Sequence, residues 1–101
     1  MKRLGLFFTL FLFSIALHAQ QVKGFIKDTE GQPLQGITIL VDGSFLGTTS
    51  AEDGSYLIKL PAAGTYTLVV QGVSFLSQSQ PVTAAANETA TVDFTLVAAI
   101  N

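Results

Sequence analysis

Within this 101-residue chain the stretch whose residue types come closest to chemistry is Glu52-Asp53-Gly54, between Leu46-Gly47-Thr48-Thr49-Ser50-Ala51 and Ser55-Tyr56. Adjacent carboxylates beside a glycine could do acid–base work or present oxygens to a cation. Glycosidase-type catalysis needs two carboxylates facing each other across a substrate. Neighbouring side chains on an extended turn diverge instead. Calcium takes roughly six to eight oxygen ligands, and the EF-hand spacing is absent. The same residues make a tight turn in which Asp53 accepts a hydrogen bond from a nearby amide and Gly54 takes a positive φ. That is the expected role, and apolar alternation on both sides predicts a hairpin around it.

The remaining inventory is sparse. There is no cysteine, and the one histidine is His18 near the N-terminus. Zinc sites, Cys-His nucleophiles and Ser-His-Asp triads therefore have no residues to draw on in the chain beyond it. No catalytic residue, metal ligand or cofactor is expected. Beyond Arg3 the cations are Lys23, Lys27 and Lys59, against Asp28, Glu30, Asp42, Glu52, Asp53, Glu88 and Asp93. A mildly acidic chain without arginine in this part does not suit nucleic acid or an anionic membrane surface, which need clustered cations. Aromatic side chains could form a sugar-stacking platform. Alternation sends Tyr56, Tyr66 and Phe94 inward, which leaves Phe25 and Phe45 as candidate surface contacts; Phe25 equally fits beneath a neighbouring domain or loop.

Lys2-Arg3, an apolar run from Leu4 to Leu17, and then His18-Ala19 before Gln20-Gln21 have the layout of a secretory signal peptide. A membrane span wants ~20 apolar residues, more than this run offers. Cleavage is expected after Ala19, with Leu17 a bulky residue at the minus-three position. Without cysteine, neither a lipidated N-terminus nor a disulfide is available. The expected division is residues 1–19 as signal peptide, 20–97 as one domain and 98–101 as a tail. A domain of roughly eighty residues supports one small core worth about 5 kcal/mol net.

Period-two alternation runs through that domain. Strands are predicted at Gln21–Lys27, Ile37–Asp42, Phe45–Ser50, Ser55–Leu60, Thr65–Gln71, Ser79–Thr83 and Thr89–Val97. The lysines of the first suit an edge, Thr65–Gln71 suits a centre, and Pro81 makes the sixth a short edge strand. Turn formers separate them, among them Gly31, Pro33, Gly36, Gly47, Asp53, Gly54 and Gly64. Gly47, inside a strand pattern, signals a bulge or a close backbone approach. Seven short strands without an amphipathic helix predict an all-β, antiparallel Greek-key sandwich.

Val22-Lys23-Gly24-Phe25-Ile26-Lys27-Asp28, Gly31-Gln32-Pro33-Leu34-Gln35-Gly36-Ile37-Thr38-Ile39, Gly47-Thr48-Thr49, Asp53-Gly54-Ser55-Tyr56 and Pro61-Ala62-Ala63-Gly64-Thr65-Tyr66-Thr67-Leu68 together resemble the carboxypeptidase-regulatory-like family. The resemblance implies a seven-stranded, transthyretin-like (prealbumin-like) sandwich. It implies no peptidase activity, since the enzyme's metal ligands lie in another domain. Members directly behind a signal peptide commonly form the N-terminal extension of TonB-dependent outer-membrane receptors, ahead of a plug and a barrel that import siderophores or glycans. The sequence ends at Asn101 without a TonB box, plug or barrel, so the expectation is a truncated or separately encoded extension, or a free-standing secreted module.

The resulting expectation is a non-catalytic accessory domain, exported to the periplasm and associated with the outer membrane without itself being membrane-inserted. Its partner would be the plug or barrel of a receptor or another envelope protein, met through exposed strand edges. A secreted carbohydrate-binding module, taking a glycan on an aromatic pair, and a structural spacer are the alternatives.

Overall fold

The computed structural model describes residues 20–99; the expected signal peptide and its helix, Met1 to Ala19, lie outside the described residues. Eight strands follow in order: β1 (Gln21–Asp28), β2 (Thr38–Val41), β3 (Gly47–Thr49), β4 (Ser55–Lys59), β5 (Gly64–Gln71), β6 (Gln78–Ala84), β7 (Thr89–Thr91) and β8 (Phe94–Leu96). No helix occurs among the described residues. They form two four-stranded sheets. One has β1 between β4 and the β7–β8 pair, and the other has the order β3-β2-β5-β6.

Alternation explains the packing. Val22, Ile26, Tyr56, Ile58, Leu60, Val92, Phe94 and Leu96 from the first sheet meet Ile39, Val41, Leu68, Val70, Val82 and Ala84 from the second in one buried cluster. Each large aliphatic side chain so buried is worth ~1.5–3 kcal/mol, which is what offsets the ordering of the backbone. β5 is central in its sheet and β6, carrying Pro81, is an edge, as the sequence predicts.

Four expectations need correction. β1 is not an edge strand: it pairs antiparallel with β4 (Val22 opposite Ile58) and parallel with β7 and β8 (Gln21 opposite Thr89, Ile26 opposite Phe94). The sandwich is therefore mixed rather than wholly antiparallel. The strand count is eight, not seven, because the predicted strand Thr89–Val97 is broken at Val92-Asp93. The register is the same on both sides of the break, with Lys23 facing Thr91 and, three residues on, Ile26 facing Phe94. At the break Val92 N still donates to Lys23 O at 2.9 Å, but Phe25 N donates to the Asp93 side chain instead of a carbonyl.

Asp53-Gly54 is the fourth. The turn is tight, with Gly54 N donating to Ala51 O and Ala51 N to Ser55 O, both at 2.8 Å. The strands it joins, however, do not pair: β3 belongs to one sheet and β4 to the other. It is a crossover between layers rather than a hairpin. The hairpin lies one turn earlier, where β2 and β3 pair across Asp42–Leu46.

Candidate interaction face

The outer face of the first sheet is built from residues that alternation turns away from the core. β1 contributes Lys23, Phe25 and Lys27, all exposed, and β4 contributes Leu57 and Lys59. The register sets Lys23 opposite Leu57, Phe25 opposite Ser55 and Lys59 opposite Gln21. All three lysines of the described residues thus lie on one sheet face. Phe25 is 45% exposed and Leu57 46%, large for apolar side chains in mid-strand. The Lys27 ammonium lies 5.9 Å from the centre of the Phe25 ring, within cation–π range.

A cleft of about 260 Å³ opens on this face, lined by Lys23, Gly24, Phe25, Ser55, Tyr56, Thr91 and Asp93. Its shape depends on Gly24. A Cβ there would stand 1.8 Å from the Val92 carbonyl oxygen, so only a glycine lets the break between β7 and β8 approach β1 so closely. That carbonyl accepts the Tyr56 hydroxyl at 2.6 Å, and the Tyr56 ring lies 6.4 Å from that of Phe94, tilted by 47°. Burial first, and then the negative charge of Asp93, push the Tyr56 hydroxyl far above its ordinary range. Both causes favour the protonated hydroxyl, the form that donates to the Val92 carbonyl. Asp93 Oδ1 accepts the Phe25 amide at 2.9 Å, which fills the missing rung of the β1 ladder.

Ser55 on the cleft wall donates its hydroxyl to Asp53 Oδ1, a pair that closes the turn. Among the described residues no three His, Cys, Asp or Glu side chains come together as a metal site would need. The cleft itself carries one cation, Lys23, and one carboxylate, Asp93.

The sequence-predicted residues are dispersed. Asp53 Oδ1 accepts both Ser55 N (2.9 Å) and Ser55 Oγ (2.6 Å), and those two bonds, the hydroxyl first, lower its carboxyl below the usual value. Glu52 beside it is exposed. Gly54 has φ +85° and donates no side chain where Ile26 O of β1 lies, 2.6 Å from a built Cβ; its own carbonyl accepts Ile26 N at 2.8 Å. Gly31 N bonds Asp28 O, Gly36 N bonds Ser50 O, and Pro33 bridges to Lys27, so these three shape the β1–β2 loop. Gly47 opens β3 and Gly64 opens β5. Phe45 is fully exposed in the β2–β3 hairpin of the second sheet. It shares no cleft with Phe25, and the aromatic pair on one face that a glycan platform would need is not formed by these two residues.

Three further residues hold the structure in ways that their sequence context signals only weakly. Gly24 lies inside a strand pattern, and that alone was a signal of close backbone approach. Asp93 reads as an ordinary outward polar residue. Ser50 is buried, accepts Ile37 N at 2.9 Å and donates to Leu34 O at 2.7 Å; nothing in its sequence neighbours announces that role.

Two packed sheets without a helix among the described residues define a β-sandwich domain as its class. The chain belongs to the carboxypeptidase regulatory-like domain family, whose profile matches residues 21–97. It is 38% identical over 76 residues to the TonB-dependent receptor SusC of Bacteroides thetaiotaomicron, an alignment covering 73% of this chain and 7% of that receptor. The chain therefore corresponds to a small part of that relative's length. Among solved structures, a type II cohesin–X-dockerin complex of Acetivibrio cellulolyticus matches with a TM-score of 0.64 at 23% identity, covering 77% of this chain and 57% of that one. The minor pilin GBS52 of Streptococcus agalactiae matches with a TM-score of 0.65 at 15% identity, covering 87% and 48%. At these identities the likeness is one of fold.

Proposed function

We propose that this chain is a non-catalytic accessory domain of the bacterial envelope, exported to the periplasm, that works through contacts with a TonB-dependent outer-membrane receptor or a protein of that assembly. The observation that carries this reading is the 38% identity to a 76-residue stretch of a TonB-dependent receptor. A family profile matched from residue 21, directly behind the expected signal peptide, supports it. So does a surface that offers cations and apolar side chains on one sheet face.

In-cell cross-linking of the tagged, full-length chain in a bacterium that carries such receptors tests the reading. The expected result is export with removal of residues 1–19 and a cross-link to a receptor plug or barrel. Recovery in the cytoplasm, or in the envelope with neither a receptor nor any protein that co-purifies with one cross-linked, overturns it.

A further inference from the structure

We propose that the outer face of the β4-β1-β7/β8 sheet docks an extended acidic segment of a partner protein, one that places carboxylates two residues either side of an aliphatic side chain. The inference rests on the accessory-domain reading and names the surface and chemistry it would use. It relocates the contact from the strand edges to a sheet face.

Charge is the first ground. The strands of the second sheet contain no charged residue, whereas Lys23, Lys27 and Lys59 all project from the outer face of the first. Among the described residues the positive charge thus lies on one sheet face, although the chain has more carboxylates than cations, and that face complements an anionic partner. Spacing is the second. Side chains on one face of a strand repeat every roughly 6.7 Å, so Lys23, Phe25 and Lys27 form a row of cation, aromatic and cation. An extended segment alongside β1 repeats at the same interval. Acids at its first and fifth positions meet the lysines while its third meets Phe25 and the cleft.

The cleft decides what the third position must be. At about 260 Å³ it falls below the ~300–1,000 Å³ of small-molecule sites, which suits one side chain. Asp93 on its wall repels a carboxylate there, so the inserted group is neutral, and the Phe25 and Tyr56 rings in the lining make it apolar. A flat lipid surface is the less favoured anionic partner, because a concave cleft presents no apolar tip to insert.

A fluorescently labelled peptide with glutamates at its first and fifth positions, leucine at its third and serines between is the probe, titrated onto the full chain by anisotropy and by amide-resonance shifts. Saturable binding is expected, with shifts confined to β1, β4 and β7, weakening as salt rises from about 50 mM to about 500 mM. Lys23→Glu with Lys27→Glu should reduce affinity at least tenfold, and Phe25→Ala several-fold. Thr65→Glu with Thr67→Glu, on the opposite sheet, should change neither. Circular dichroism confirms that each variant folds. Equal binding of a peptide with lysines in place of the glutamates, shifts on β2, β5 and β6, or binding to phosphatidylglycerol vesicles without binding the peptide each overturn the proposal. The cross-link to a receptor or to a protein that co-purifies with one separates the two levels: its survival in the lysine double variant rejects this face but leaves the accessory reading, while its absence in the unaltered chain rejects that reading itself.

Discussion

The two sheets follow the same alternation but spend their outward positions differently. β5 and β2 turn Thr65, Thr67, Val69 and Leu40 to the outside, an uncharged face on a ladder that is antiparallel throughout. β1 turns out two lysines and a phenylalanine, and its ladder is antiparallel on one side and parallel on the other. The second sheet reads as scaffold. In the first, irregularity and charge coincide: the break at Val92-Asp93, the glycine that admits it and the cleft that results are neighbours. A carboxylate standing in for a ladder carbonyl keeps the Phe25 amide paired where the cleft opens.

The sharpest way to break this comparison is one methyl group placed in each sheet. At Gly24 a Cβ meets the Val92 backbone oxygen at 1.8 Å, whereas at Gly47 it meets the Leu40 Cδ2 atom at 2.7 Å and Ile39 O at 3.0 Å. Backbone cannot step aside, but Leu40 is a partly exposed, rotatable side chain. Gly24→Ala should therefore cost about 3 kcal/mol, the upper end of overpacking penalties, and Gly47→Ala under about 1 kcal/mol. Chemical denaturation of both variants measures this. Similar losses in the two would mean that the sheets tolerate crowding alike and that the close approach at Gly24 is not a special feature of the cleft.

The connection between the sheets gives the next largest effect. Gly54→Val places a β-branched side chain at φ +85° with its Cβ 2.6 Å from Ile26 O. Strain of that kind costs roughly 1–3 kcal/mol, and because the turn links β3 to β4 across the layers, the loss should appear as a lowered melting temperature of the whole domain. An unchanged melting temperature would show that the crossover can open without disturbing either sheet.

Which of these features the sequence announces depends on how far apart the partners lie. Period two correctly sends Val22, Ile26, Ile39, Val41, Ile58, Leu68, Val70 and Phe94 to the core, because the inner face of a strand is a local property. The closed turn at Asp53 and Ser55 is local too. Where the strands go is not: the same Asp-Gly pattern serves a hairpin or a crossover, and the lysines of β1 suit an edge until β7 and β8, almost seventy residues later, cover that side. The face has the same difficulty. Lys23 and Lys27 are visibly paired in the sequence, but Lys59 joins them only through the register of Gln21 with Lys59. Asp93 acquires its role only when Phe25 loses a carbonyl partner.

A change smaller than those at Gly24 and Gly54 tests whether the cleft wall of the first sheet is as tightly held as its geometry implies. Tyr56→Phe removes the donor to Val92 O and, leaving a buried carbonyl unpaired, should cost about 1–2 kcal/mol at neutral pH. The pH dependence is more informative. The Tyr56 hydroxyl titrates well above its ordinary value near 10 in the folded chain, so above that pH the unfolded chain binds fewer protons than the folded one. The stabilisation it contributes is complete below about pH 10 and declines as pH rises beyond it. Stability of the unaltered chain should therefore fall more steeply than that of Tyr56→Phe between roughly pH 10 and 12, and the two curves should converge. Parallel curves would mean that the hydroxyl reaches water, and that the wall between Asp93 and Tyr56 opens as readily as the threonine face of the other sheet.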